Sequence, residues 1–479
     1  MPLIIPANSA VSGGFDVDNS CRFNDGSSDY LRWNDSPSGN RQKFTWSIWF
    51  KRGVLGTTQT LGAASYSSGD EGYFEINSSD QFEWDSTEGN NGNLITNRRF
   101  RDISAWSNVV VAVDTTQGTA ANRMKVYVNG VQETSFATET YPDQNSSLYW
   151  NVGGTYYPYI GRKHGGEYFD GYIAEVVNID NQQLAEDSFG EFDDSGIWKP
   201  IDVSGLTFGT AGYYLDFEDS SELGKDVSGV GNSFVSANLA AIDQSTDTCT
   251  NNFATWNPLV HYSSSATFSE GNLKVAPTEN TSRVYTVSTI AMPTVSGSKW
   301  YAEFKYLETN DVALIGILDA KQISYVFRGN SDLDNENSDT SVGRVTYRGG
   351  NGKIKYPSGQ SVDTNVTLSN NDIVMIALDA GSGKIWFGVN GTWVNSGNPA
   401  NGSNGVDFTG QGWWTSGVDD FVFLVGDGNT GGHDDWEANF GSPPYAISSG
   451  NADGDGYGNF EYAVPSGYFS LNTKNLAEY

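Results

Sequence analysis

One phrase constrains the fold more than any other, because the chain writes it twice: MKVYVNGVQ from residue 124 and KIWFGVNGTW from residue 384. In each, a short run of β-formers closes on Val-Asn-Gly. A two-residue hairpin turn of the primed type needs positive φ at both central positions, and Asn-Gly meets that need at the lowest steric cost. The two phrases therefore predict two β-hairpins, turning at Asn129-Gly130 and at Asn390-Gly391. The runs around them have a period of two. FTWSIWFK sets Phe44, Trp46, Ile48 and Phe50 against Thr45, Ser47 and Lys51, the pattern of a half-buried strand. SNVVVAVD ending at Asp114 and GYIAEVVNID ending at Asp180 continue it. After residue 299, KWYAEFKYL alternates Trp300, Ala302, Phe304 and Tyr306, and VALIGILD, DIVMIALD, KIWFGV and DFVFLVGD read as buried strands.

The 56 glycines, with Asn, Asp, Ser and Thr crowded between the apolar runs, supply the turns that so many short strands need. No heptad, solenoid repeat or long helix interrupts them, so the expected class is all-β. A chain of 479 residues exceeds one ordinary core. The strand runs divide it into an N-terminal arm at 1–14, a β domain at 15–195, a connector at 196–258 and a second β domain at 259–479. The connector contains one plausible strand, Gly212 to Phe217. It also carries Trp198, Tyr213, Tyr214, Phe217, Phe253 and Trp256, too many aromatics for a disordered tether, so it is expected to be ordered.

Charge narrows the partners. Asp and Glu number 58 against 27 Lys and Arg, a net charge of -31, which repels phosphate backbones and anionic lipid heads. Neither nucleic acid nor membrane insertion is expected, and no segment reaches the roughly 18 apolar residues of a membrane span. Cys21 and Cys249, assigned to different segments, make no disulfide framework and no CxxC cluster. The leader MPLIIPANSA lacks a basic region, and its apolar stretch is too short for a signal peptide. The expectation is a chain made in the cytoplasm, with PLIIPANSA either an attachment arm that docks on a partner or a frayed terminus.

Three stretches carry resemblances. FTWSIWFKRG, WSNVVVAVDTTQGTAANRMKVYVNGVQ and IGRKHGGEYFDGYIAEVVNID resemble the laminin-G-like jelly rolls of the concanavalin type, with one departure: Ala174 stands where many members have an acid. NDIVMIALDAGSGKIWFGVNGTW and WEANFGSPPY are similar to SPRY domains, with Asp372, Asp379, Asn390-Gly391 and Asn439-Phe440-Gly441 at the matching positions. YYLDFEDSSELGKDVSGVGNSF, DTCTNNFATWNPL and PSGYFSLNTKNL resemble segments of structural proteins of marine bacteriophages. Together they imply two concanavalin A-like antiparallel β-sandwiches, or jelly rolls, joined by an ordered connector, on the surface of a virion.

A sandwich of this kind can cleave polysaccharide, which takes paired carboxylates on one strand face. FEINSSD offers Glu75 but Asn77 at the next same-face position, and AEVVNID offers Glu175 but Val177. His164, His261 and His433 have no nucleophile motif beside them, and no GxSxG occurs. The expectation is a protein without enzymatic activity. NADGDGYGNFE places Asn451, Asp453 and Asp455 at calcium-loop spacing with Gly456 at the turn, but Tyr462 occupies the twelfth position where an acid is needed. Those three are the candidate metal ligands, calcium being the ion considered; a polar turn is the competing reading. For a sugar, aromatic faces bordered by polar acceptors are required. Trp413 and Trp414 are the candidates, on the reasoning that neighbours in a strand cannot both point into a core. Trp393, just past a hairpin turn, is the third, and the polar loop GRKHGGEYFD at 161–170 is a lesser one.

The expected function is a phage tail fibre or tail-associated adhesin that recognises host surface glycans, homo-oligomeric and by family expectation trimeric, contacting other virion proteins and host polysaccharide. A capsid decoration or head-fibre protein without glycan specificity is the second reading. A glycan depolymerase is the third.

Overall fold

The structure, a computed structural model, describes residues 14–67, 69–86, 92–262, 266–277, 284–307, 313–325, 333, 342–356, 360–427 and 434–479. PLIIPANSA and His433 lie outside the described residues. The chain forms two compact units, Ser12–Asn252 and a second built on Phe253–Tyr479. Each is a β-sandwich of antiparallel sheets.

In the first unit, one sheet runs Val131–Gln132, Met124–Val128, Ser107–Asp114, Lys43–Arg52, Gly171–Asp180, Ser20–Phe23, Gln244–Ser245. The other runs Phe136–Thr140, Asn93–Arg99, Gln81–Ser86, Asp70–Ile76, Gln59–Ser67, Tyr157–Ile160, Tyr30–Arg32, Val235–Ala237. Period two places Phe44, Trp46, Ile48, Phe50, Val109 and Val111 of the first sheet against Leu61, Phe74, Ile76, Phe82, Trp84 and Leu94 of the second, in one core. Trp46 stacks on Phe74 with ring centroids 4.5 Å apart.

Residues 196–252 of the segment read as a connector are part of this sandwich, and residues 253–258 open the second unit. Tyr213–Leu215 pairs with Gly171–Asp180, Val235–Ala237 with Tyr30–Arg32, and Gln244–Ser245 with Ser20–Phe23. A bulge between Ala174 and Val177 breaks the pairing of Gly171–Asp180 with Lys43–Arg52. Glu175 sits in that bulge at φ 50°. Cys21 and Cys249 are both free, and both belong to this unit.

The expectation that Lys43–Arg52 is half-buried needs correction, because Thr45, Ser47 and Lys51 are as buried as the apolar residues between them. The chain at 184–214 roofs the outer face of this sheet, setting Phe189, Val203, Phe208 and Tyr214 on Val110, Ala112, Val177 and Ile179. Further along this strand Lys51 pairs with Asp247 at 2.7 Å, and each side chain is 1% exposed. Asn252 and the Trp106 indole complete the network at 2.7 and 3.0 Å.

The second unit repeats the architecture. One sheet runs Trp256–Tyr262, Val284–Ser288, Asp420–Asp427, Ala313–Asp319, Arg344–Arg348, Lys353–Tyr356, Gln360–Asp363. The other runs Ala266–Ser269, Lys274–Pro277, Trp436–Asn439, Lys299–Tyr306, Ile373–Asp379, Lys384–Val389, Thr392–Trp393. Trp300, Ala302, Phe304 and Tyr306 face the core, as their alternation requires. Both repeated phrases are primed hairpins: Asn129 and Gly130 have φ of 47° and 73°, Asn390 and Gly391 of 48° and 82°. Among the described residues no helix is long and apolar enough to cross a membrane.

Candidate functional site

In the first unit the outer face of the second sheet carries polar and tyrosine side chains, whereas the first sheet is covered on both sides. Its composition follows from the pleat. In DEGYFEI, Phe74 and Ile76 point into the core, so Glu71, Tyr73 and Glu75 point out. In QFEWDS, Phe82 and Trp84 are inward, so Glu83 and Asp85 are outward. The register sets Glu75 opposite Glu83 and Tyr73 opposite Asp85. Across the sheet, Leu31 and Ile160 turn inward, which leaves Tyr30, Arg32, Tyr157 and Tyr159 on the same outer face.

The loop at 161–170 lies over these strands, held where the Thr60 N–H donates to the Glu167 carbonyl at 2.9 Å. It delivers Lys163, whose Nζ is 2.8 Å from Glu75, 2.5 Å from Glu167 and 3.8 Å from the Tyr73 ring centroid. Arg162 sits over three rings, 4.5 Å from Tyr30, 5.0 Å from Tyr159 and 5.4 Å from Tyr168. Arg32 covers Tyr157 at 5.1 Å. Glu83 accepts hydrogen bonds from Asn77 at 3.0 Å and Asn93 at 3.3 Å, and Asn93 also reaches Asp85 at 2.8 Å.

Burial sets the electrostatics. It pushes the Glu75 carboxyl up to about 7, with the Lys163 ammonium opposing. Burial also raises Glu71 and Asp85, and it raises the Tyr73 hydroxyl, which Asp85, Glu75 and Glu83 push further. Residues opposite one another in an antiparallel pair have Cβ atoms roughly 5 Å apart. Glu75 and Glu83 are such a pair, yet Lys163 already engages one and two carboxamides engage the other. The result is a pre-oriented, hydrogen-bonded face of tyrosines, carboxylates and amides, an arrangement that can recognise hydroxyl groups.

The sequence reading missed Glu71, Tyr73, Glu83, Asp85 and Lys163. The signal lies back from Glu75 along EGYFE, where Glu, Tyr and Glu occupy alternate positions, and across in EWD on the next strand, not forward at Asn77. The 161–170 loop, a lesser candidate in the sequence, supplies Arg162 and Lys163 to the face. His164 in that loop is exposed.

The residues singled out in advance lie elsewhere. Trp413 and Trp414 belong to a turn, not a strand, so the argument that both cannot face a core does not apply. Trp413 stacks on Phe408 at 5.4 Å and 13°, and Trp414 meets the same ring edge-on at 6.2 Å. Both are half-buried against the core of the second unit. Trp393 pairs with Gly388 and packs with Tyr301, Met375, Trp386 and Phe460 on the outer face of its sheet.

Asn451 donates to the carbonyls of Phe460 and Glu461 and to the Ser449 hydroxyl. Asp453 is buried, and protein donors face both its oxygens. Ser470 N–H at 2.9 Å, Ser470 Oγ at 2.6 Å and Asn475 Nδ2 at 2.9 Å meet one. The N–H groups of Asp455 and Tyr457 meet the other. Asp455 itself is exposed. Among the described residues no group of three or more His, Cys, Asp or Glu side chains is placed to hold a metal ion. His261 is half-buried, with Nδ1 3.4 Å from the Pro258 carbonyl, and desolvation lowers its pKa. The second unit also has a cleft of about 650 Å³ where its sheet edges meet, walled by Ile354, Phe387 and Trp386 and rimmed by Asn395, Asn404 and Asp407.

Residues 25–185 match the laminin-G type 3 family, described as the concanavalin A-like lectin/glucanases superfamily. No curated protein matches the chain. Among solved structures, the chain is similar to the SPRY domain of human HERC1, at 12% identity, over 38% of this chain and 96% of that one, with a TM-score of 0.28. It is similar to a heptameric pentraxin from Limulus polyphemus at 15% identity, over 36% and 80%, with a TM-score of 0.28. It is also similar to domain 4 of an extracellular arabinanase from Geobacillus stearothermophilus, solved with arabinotriose, at 16% identity, over 32% and 67%, with a TM-score of 0.23.

Proposed function

We propose that this protein binds glycans without cleaving them, through the tyrosine and carboxylate face of its first sandwich. The observation that carries the reading is Glu71, Tyr73, Glu75, Glu83 and Asp85 on the outer face of one sheet, within the residues that match a lectin/glucanase superfamily. Sugar rings offer apolar C–H faces to aromatic rings and hydroxyls to carboxylates and amides, and this face presents both. In the finer reading the protein is displayed on a bacteriophage particle as a homo-oligomeric, by expectation trimeric, tail adhesin that meets host polysaccharide. That reading draws on the sequence resemblances of residues 213–234 and 247–259 and of the C-terminal segment.

A glycan array on the purified chain, followed by titration calorimetry of Tyr73→Ala, tests the binding site. Loss of one aromatic contact should weaken the best ligand about tenfold. Unchanged affinity in a folded Tyr73→Ala variant would remove the site from this face. Antibody imaging of virions tests the display: label on tails supports the adhesin, label over heads favours a decoration protein, and release of reducing ends from host polysaccharide would replace both with a depolymerase.

A further inference from the structure

Four of the chain's 27 basic residues line a single small pocket in a protein of net charge -31. The pocket has a volume of about 120 Å³ and lies in the first sandwich beside the Asn129 turn. Arg52 enters it from the end of Lys43–Arg52, and the motif RRFR brings Arg98, Arg99 and Arg101. Phe50 and Phe100, their rings 5.6 Å apart, supply an apolar wall.

The charges around the pocket do not cancel. Asp80 is shared between Arg52 at 2.9 Å and Arg101 at 2.8 Å, and Glu133 pairs with Arg98 at 2.8 Å. Asp102 is engaged by the N–H and hydroxyl of Ser104. Arg99 donates to the Ser79 carbonyl at 2.6 Å and has no ion pair among the described residues. Arg52 is 2% exposed, yet one of its terminal nitrogens has no partner among the described residues. Four guanidinium groups thus face three carboxylates, and donors remain unused. Planar guanidinium forks suit sulfate and carboxylate oxygens. The strand Asn93–Arg99 links the two features: Asn93 holds Glu83 and Asp85 on the proposed glycan face, and Arg99 lies about 20 Å along the same strand.

We propose that this pocket is an anion subsite that takes the sulfate or carboxylate substituent of an acidic glycan, a reading that rests on the glycan-binding function proposed above. The subsite gives a strongly acidic protein a specific place for a negatively charged ligand that its overall field would repel.

The test uses the full chain, with inorganic sulfate titrated at constant ionic strength against chloride and binding followed by calorimetry. Saturable binding is expected, weakened roughly tenfold or more by Arg99→Gln and further by adding Arg98→Gln. Arg99→Lys should recover part of it, and Arg123→Gln, away from the pocket, should change nothing. Sulfated or carboxymethylated dextran should then bind more tightly than plain dextran to the native protein and equally to the Arg98→Gln/Arg99→Gln variant. Absence of saturable sulfate binding, or sulfate binding unchanged in that double variant, overturns the subsite. Sulfate binding through Arg99 with no preference for either charged dextran overturns its assignment to a glycan. Loss of the acidic preference in the double variant, with Tyr73→Ala neutral, would keep the subsite while refuting the tyrosine face.

Discussion

Replacing Glu175 by Gln should stabilise the first sandwich, and only at high pH. Glu175 occupies the bulge of Gly171–Asp180, 5% exposed, with the Tyr214 hydroxyl donating to it at 2.7 Å. Burial pushes its carboxyl up from an ordinary value of 4.5 to about 8, and Asp216, Glu218 and Asp202 add to the rise against the Tyr214 hydrogen bond. A carboxyl raised on folding holds its proton more tightly in the folded state. Folding is therefore favoured while the group stays protonated, below the ordinary value, and the advantage is lost as pH climbs from about 4.5 through about 8. At 1.36 kcal/mol per pH unit, that interval is on the order of 5 kcal/mol by pH 9. A glutamine keeps the size, accepts the Tyr214 hydrogen bond and carries no charge to desolvate. For a unit of this length the gain translates to a rise in melting temperature on the order of 10 °C at pH 9, and to little at pH 4. The assay is scanning calorimetry of native and Glu175→Gln protein at pH 4, 7 and 9, following the transition of the first unit. Taking the variant minus the native protein cancels the contributions of Glu75 and Glu303, both also pushed up to about 7 by burial. A difference in melting temperature that does not grow with pH would refute the reasoning, because its source is a charge that burial desolvates and that Asp216, Glu218 and Asp202 repel.

Three further outcomes concern the candidate ligand and calcium residues. Trp413→Ala should cost the second unit about 3 kcal/mol, since it removes a ring stacked on Phe408, and should leave glycan affinity unchanged; lost affinity with unaltered melting would make Trp413 a ligand contact. Asp453→Ala should destabilise the same unit by about 3 kcal/mol, as buried donors on Ser470 and Asn475 lose their acceptor. Calcium and EDTA should leave native melting unmoved. A calcium-dependent rise abolished by that substitution would restore an ion to the loop.

Much of the architecture could be read from local pattern. The primed hairpins are readable because Asn-Gly is selected by backbone conformation alone, independently of what the strands later touch. The long strands are readable because one face meets a core, and period two survives whatever covers the other face. What covers that other face is not a local property. Thr45 and Ser47 look solvated until the chain at 184–214 roofs their sheet, and Lys51 until Asp247, 196 residues beyond it, supplies the countercharge. The short pairings of Tyr213–Leu215, Val235–Ala237 and Gln244–Ser245 escape for a related reason: two or three residues cannot display a period, so the segment reads as a connector although it completes both sheets.

The candidate site was hidden by the same division between local and cross-strand information. Along DEGYFEI, the outward Glu71, Tyr73 and Glu75 form the ordinary polar side of a half-buried strand, and nothing in that stretch separates recognition from solvation. Register separates them. Setting Glu75 opposite Glu83 brings together two carboxylates that would repel, a placement that costs stability unless a cation or donors meet it. Lys163 comes from 88 residues away to meet the first, and Asn77 and Asn93 hold the second. Solvated side chains need no such provision, because water screens them and long charged groups keep their freedom. Held at 4% exposure with a lysine above it, Glu75 has given up that freedom, and a sheet face that fixes its acids, amides and tyrosines in place presents a surface already ordered before a ligand arrives. The ordering of Glu75, more than the presence of any one aromatic, is the reason to look for the ligand on this face.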